Sequence, residues 1–126
     1  MVQSLSPCAI IHLAAIAMPR HAAQDRSLAW AVNFESTRVL ANTVLSENIN
    51  TRIIFAGSSE AYGSSFNLST EPILEEAPLR PGSVYGATKA AADLMLGQMQ
   101  QDGLSIVRFR AFNHTGAKQT LSLIHI

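Results

Sequence analysis

The chain has 126 residues, 48% apolar and 14% charged, and its nine basic and nine acidic side chains cancel. That length suits one domain and is too short for two, and the composition excludes a disordered chain. With no basic run or stripe, a nucleic-acid groove and an anionic membrane surface are excluded as partners. A single cysteine, Cys8, builds no disulfide framework, so a reducing, cytoplasmic compartment is expected. The longest apolar run, Cys8 to Met18, is interrupted by His12. It falls short of the roughly 20 residues that cross a bilayer and lacks the basic leader of a signal peptide.

CAIIHLAA (Cys8–Ala15) is short and continuously apolar, as expected of a strand buried on both faces. A polar stretch, PRHAAQDRS, leads into a long helical pattern from about Leu28 to Glu47, with Leu28, Val32, Val39, Leu40 and Val44 at helix-compatible spacings. TRIIFAGSS (Thr51–Ser59) reads as a second buried strand ending in small residues. Then comes a loop from Tyr62 to Pro81 punctuated by Gly63, Pro72, Pro78 and Pro81; loops this long are often functional. A second helix starts at Ser83 as N-cap, runs to about Gln101 and stops at Gly103. LSIVRFRAF (Leu104–Phe112) is the third strand.

Strand, helix, strand, helix, strand gives an α/β fold: a partial Rossmann-type, doubly wound parallel sheet of about three strands with two long helices. Ligands of such sheets bind at the carboxyl ends of the strands, here after Ala15, Ala56 and Arg110. The first end, HLAAIA, carries small side chains that a flat ligand could approach; His12 reads as a satisfied strand-end histidine rather than a catalyst. The second places Ser58, Ser59 and Glu60 where the strand runs out, able to cap the chain or to polarise a substrate oxygen. In SVYGATKAAAD (Ser83–Asp93), Tyr85 and Lys89 lie one helical turn apart and share a face. Taken alone, that pair better fits an amphipathic helix with a buried ring and a solvated ammonium. Ser58, on the same rim of the sheet, favours a shared site. No metal is expected.

HLAA, GSSEAYG, SVYGATKAAAD and VRFRAFNHTGAKQ, in this order, resemble the extended short-chain dehydrogenase/reductase family, specifically its NAD-dependent epimerases, dehydratases and reductases of nucleotide sugars. FNHTG (Phe112–Gly116) is most similar to the branch of GDP-4-keto-6-deoxy-mannose reductase and GDP-mannose 4,6-dehydratase. The resemblance implies Tyr85 as general acid/base, Lys89 as its partner and ribose ligand, and Ser58 as a hydrogen-bond donor to the substrate oxygen. Glu60 stands where dehydratases keep an additional base. Leu13, Ala14, Ala15, Phe112 and His114, with Tyr85 and Lys89, would line NADP or NAD, and Ser59 and Asn113 would meet the sugar. It further implies a nucleotide-sugar substrate, a homodimeric parent, and 4-keto reduction, with 4,6-dehydration or epimerisation as alternatives. A non-catalytic dinucleotide-binding module is the reading from another class.

Reduction of a carbonyl needs a hydride, which no side chain supplies, and a proton, which the protein must deliver. A free tyrosine has a pKa of about 10, and bringing it to about 7 takes roughly 4 kcal/mol. A solvated ion pair gives at most about 1 kcal/mol, so the site must be partly dry. Ala87, Ala90, Ala91 and Ala92 would let the helix sit close to the sheet. The glycine-rich loop that holds a cofactor pyrophosphate is absent. Residues 1–120 are therefore expected to be the C-terminal half of an NAD(P)-binding Rossmann domain, an internal fragment that binds the dinucleotide weakly. Residues 121–126, LSLIHI, are read as a non-native tail.

Overall fold

The computed structural model describes residues 5, 7–47, 49–68 and 70–113. Three strands, β1 (Ala9–His12), β2 (Arg52–Ala56) and β3 (Ile106–Phe109), form one parallel sheet in the order β1-β2-β3. The α/β reading of the sequence holds. Each strand is shorter than its apolar run, because the residues beyond it turn away to build the rim.

The register aligns Ile10 with Ile53 and Ile53 with Ile106, one residue away from the row of Ile11, Ile54 and Val107. Successive side chains alternate between faces, so these rows point oppositely. Ile53, Phe55 and Ile106 meet Ala41, Val44, Ala92, Leu96 and Met99 of the helices in the core. On the other face Ile11 is 64% and Val107 45% exposed, and Leu13 and Phe109 are exposed as well. The expectation of strands buried on both faces is thus corrected: the core forms on one face only.

The stretch read as a polar lead-in contains a helix, α1 (Pro19–Gln24), with Pro19 in its first turn, where a missing N–H costs nothing. Its Ala22 is buried with Ala29 and the Tyr85 ring. The expected long helix is composite: α2 (Arg26–Trp30), a π-helical segment (Ala31–Glu35) and α3 (Ser36–Ser46). In the middle segment the Ser36 N–H reaches Ala31 O, five residues back, and the hydroxyls of Ser36 and Thr37 bond Val32 O and Asn33 O at 2.5 and 2.9 Å. The wider turn shifts the buried stripe to Ala29, Asn33, Thr37, Ala41 and Val44. Leu28 and Val39, expected to pack, are exposed, whereas Leu40 packs against the core.

The last helix, α4 (Val84–Gln101), begins where expected: Ser83 Oγ accepts from Gly86 N at 2.9 Å. It stops at Gly103, whose φ of 105° favours glycine. The loop before it is not structureless. Residues Ser64–Asn67 form a 3-10 turn, and Ser64 N donates to Arg80 O at 3.0 Å across its neck. At Gly63 a side chain would lie 2.0 Å from Arg80 O, so only glycine lets the neck close.

Candidate active site at the carboxyl ends of the strands

Ser58 and Tyr85 sit where an element ends or begins. Ser58 follows β2, is buried, and caps the 3-10 turn Ser59–Ala61 by accepting from Glu60 N at 3.2 Å. Opposite it, α4 starts with Tyr85 on its inner face. The approach is close because residue 86 is glycine: a Cβ there would stand 2.6 Å from Glu60 O. The Ser58 hydroxyl lies on the Tyr85 phenol's side of the rim and acts to lower its pKa. The structure thus brings these two groups to one rim.

Lys89 lies one turn on and is 4% exposed. Its Nζ donates to Ala56 O at 2.9 Å and rests 5.1 Å from the centroid of the Phe55 ring. Burial pushes its pKa down to about 8, because the ammonium loses hydration that one carbonyl and one ring replace only in part. The ammonium has three donors and Ala56 O takes one of them.

The phenol's pKa is raised: burial has the largest effect, the Ser58 hydroxyl opposes it, and the nearby Glu60 carboxylate raises it further. Lys89, expected to favour the phenolate, turns instead to the strand-end carbonyl. In this arrangement Ser58 supplies the lowering, and Tyr85 is held as a proton donor. Glu60 is exposed, and its carboxylate accepts from Ser83 Oγ at 3.3 Å.

The other expected residues divide. Leu13 and Ala14 are exposed and Ala15 half-buried just past β1, a shallow surface of small and apolar groups. Ser59 is half-buried, and its N–H bonds Ala111 O at 2.9 Å, joining the ends of β2 and β3. Phe112 is exposed with its ring edge-on to Phe66, and Asn113 is exposed beside it. His114 lies outside the described residues, as do 121–126. Ala90 and Ala92 are buried and Ala87 and Ala91 half-buried, in keeping with close approach of α4. Among the described residues no group of three or more metal-ligating side chains occurs, and no helix is long and apolar enough to cross a membrane.

Two polar networks escaped sequence reasoning. In the first, Asn33 is 1% exposed. Its Oδ1 accepts from Ile16 N at 2.7 Å, and its Nδ2 donates to Ile16 O at 3.3 Å and to Thr88 Oγ1 at 3.0 Å. One side chain thus ties the exit of β1 to the head of α4. In the second, Asp93, also 1% exposed, accepts from Arg108 at 2.7 Å and from two nitrogens of Arg110 at 3.0 Å. Arg110 also donates to Tyr62 Oη at 2.9 Å and Glu75 O at 2.8 Å, which fastens the long loop to α4. The available signal was the presence of Asn33, Thr37, Thr88 and Asp93 on otherwise apolar helix stripes.

Residues 1–124 match the NAD dependent epimerase/dehydratase family, and the chain belongs to it. It is 30% identical over 117 residues to UDP-glucose 4-epimerase of Streptomyces lividans, covering 92% of this chain and 34% of that protein. Among solved structures it is similar to UDP-glucose 4-epimerase from Brucella ovis in complex with NAD. There the TM-score is 0.82 at 30% identity, over 93% of this chain and 35% of that one. It is also similar to RMD from Pseudomonas aeruginosa complexed with NADPH, with a TM-score of 0.79 at 28% identity, over 94% of this chain and 40% of that one. The chain spans between 34% and 40% of the length of these proteins.

Proposed function

We propose that this chain carries the proton-transfer half of an enzyme that oxidises or reduces a carbon of a nucleotide-activated sugar with a nicotinamide dinucleotide. The observation that carries this reading is the buried Tyr85 phenol, acted on by Ser58 across the rim, one turn from a buried Lys89. The residues fit the cofactor in two respects: Lys89 keeps donors beyond Ala56 O for a ribose, and Leu13 and Ala14 offer an open surface at the end of β1. Leu13, Ala14, Ala15, Lys89 and Phe112 would hold it, as NAD or NADP. When bound, the nicotinamide supplies hydride chemistry.

The chain's own residues move the proton. Ser58 fixes the substrate oxygen beside the phenol and offsets part of the burial that holds the Tyr85 proton. A phenol kept protonated by burial donates to the oxygen of a carbonyl being reduced. Lys89, one turn from the phenol, would hold a ribose with its remaining donors, and its positive charge would favour the phenolate left behind. The dry inner face of α4 makes each of these interactions stronger than it would be in water.

Within this class we assign reduction of a GDP-4-keto-6-deoxyhexose, supported by the likeness of FNHTG to that branch. UDP-glucose 4-epimerase activity, favoured by the similarity to the Streptomyces protein, is the second reading, ahead of 4,6-dehydration with Glu60 as base. Assaying the complete polypeptide with GDP-4-keto-6-deoxymannose, UDP-glucose and GDP-mannose separates the three. Tyr85→Phe is expected to lower kcat by about 10²- to 10⁴-fold. Unchanged turnover in that variant would point to a non-catalytic dinucleotide-binding module.

Residues 1–120 are proposed as the C-terminal half of the dinucleotide-binding domain. Ile11, Leu13, Val107 and Phe109 form an open apolar face that a doubly wound sheet covers with further helices. The complete protein is further proposed to be a cytoplasmic homodimer, and residues 121–126 a non-native tail.

A further inference from the structure

His12 closes β1 next to the site, and its hydrogen bonds have a direction. Its Nε2 stands 2.9 Å from Thr37 Oγ1. A hydroxyl carries a single proton, and that of Thr37 goes to Asn33 O at 2.9 Å. With the proton so placed, Thr37 accepts from His12, and the neutral imidazole would carry its proton on Nε2. The same reasoning applies to Thr88, whose proton goes to Tyr85 O at 2.8 Å, so that its oxygen accepts from Asn33 Nδ2 at 3.0 Å. The Asn33 amide must donate to Thr88, and with the Thr37 proton on Asn33 O the bonds run from His12 to Thr37 and Asn33 and from Asn33 to Thr88 and the Tyr85 backbone.

We infer that His12 is a positioning residue for Tyr85, acting through Thr37, Asn33 and Thr88; this rests on the active-site reading above. The π-helical segment is the mechanical link. The Ser36 N–H at its end reaches five residues back to Ala31 O, and the Thr37 hydroxyl takes up the Asn33 carbonyl. Holding that hydroxyl from the strand side holds the turn that aims Asn33 inward at Ile16 and Thr88. Thr37 is 2% exposed, so no solvent replaces the imidazole as its donor.

The groups facing His12 are Thr37 from α3, the Phe55 ring from β2 at a centroid distance of 6.4 Å, and Lys89 from α4, which is the charged one. Protonating His12 leaves the Nε2 donor in place and adds a second cation on the side of Lys89. Acid therefore acts on the ammonium and leaves the chain of hydrogen bonds intact.

The test uses the complete polypeptide. Long-range ¹H–¹⁵N spectra at pH 7.5 are expected to show His12 protonated on Nε2. Ultraviolet difference titration, with Tyr85→Phe identifying the Tyr85 signal, reads the phenol directly. In His12→Ala the α4 head loosens and the phenol is expected to titrate at a lower pH than in wild type, nearer a solvated tyrosine. His12→Gln, whose amide nitrogen can donate to Thr37, is expected to restore the wild-type titration. A proton on Nδ1, a His12→Ala phenol that titrates like wild type, or a His12→Gln variant that behaves like alanine each overturns the inference. Turnover of Tyr85→Phe is scored separately: if it stays at wild-type level the active-site reading falls, while the titration still decides the role of His12.

Discussion

Two polar networks flank Tyr85, and they solve the same problem with opposite chemistry. On the β1 side Asn33 joins Ile16 to Thr88 with neutral groups only, inside a nearly dry interior. On the β3 side Asp93 is equally buried but ionic, and its guanidinium partners keep 20–29% of their side-chain surface in solvent. Both pin α4, one at Thr88 and the other at Asp93, a little over one turn further along. The neutral network stands near the phenol, where a fixed charge would shift its protonation. The ionic network stands farther off, where charge holds the loop without setting the phenol's pKa. Neither Asp93 nor Arg110 is among the groups that shift Tyr85.

The comparison can be broken from the ionic side first, where the effect is largest. Asp93→Asn leaves two guanidiniums facing a neutral amide and is expected to cost about 3 kcal/mol in urea unfolding, since breaking a buried pair strands its partners. A loss near zero would mean that water already solvates Arg108 and Arg110, and the contrast between the networks would disappear. Next comes the neutral side. Thr88→Val keeps shape but leaves an Asn33 N–H buried without an acceptor, for an expected loss of about 2 kcal/mol. That loss should be insensitive to salt, and a salt-dependent one would deny the network its neutral character.

The smallest effect is a pH dependence on the β1 side. His12 has its pKa lowered from 6.5, first by burial and then by Lys89. Below about pH 6.5 the unfolded chain binds more protons than the folded one, so stability is full above that pH and falls as acid protonates the folded histidine. Thermal unfolding followed from pH 8 to 5 is expected to show this decline in wild type. It should be shallower in His12→Gln, and equal slopes would remove His12 from the account.

Much of the site was legible because it lies in local pattern. The Ser83 cap, the helix from Val84 and the stop at Gly103 follow from side chains that satisfy or release backbone groups within a turn. The helix then fixes Tyr85 and Lys89 on one face, and the strand end fixes Ser58. The π-helical segment was not legible, since the hydroxyls of Ser36 and Thr37 resemble any exposed polar pair until their carbonyl partners are seen. With the wider turn, Leu28 and Val39 face solvent, and Asn33 and Thr37 take buried positions that hydropathy would deny them.

By itself the sequence determined the alternation of strands and helices, the parallel order, and the rim on which tyrosine, lysine and serine gather, because period, capping and chain length are local constraints. Only the tertiary structure decided that α4 is held by a neutral clamp on one side and an ionic one on the other. It alone decided that Lys89 turns to the end of β2, and that one face of the sheet lies open. Each of these depends on partners 15 to 55 residues apart in the chain, whose meeting no local pattern specifies.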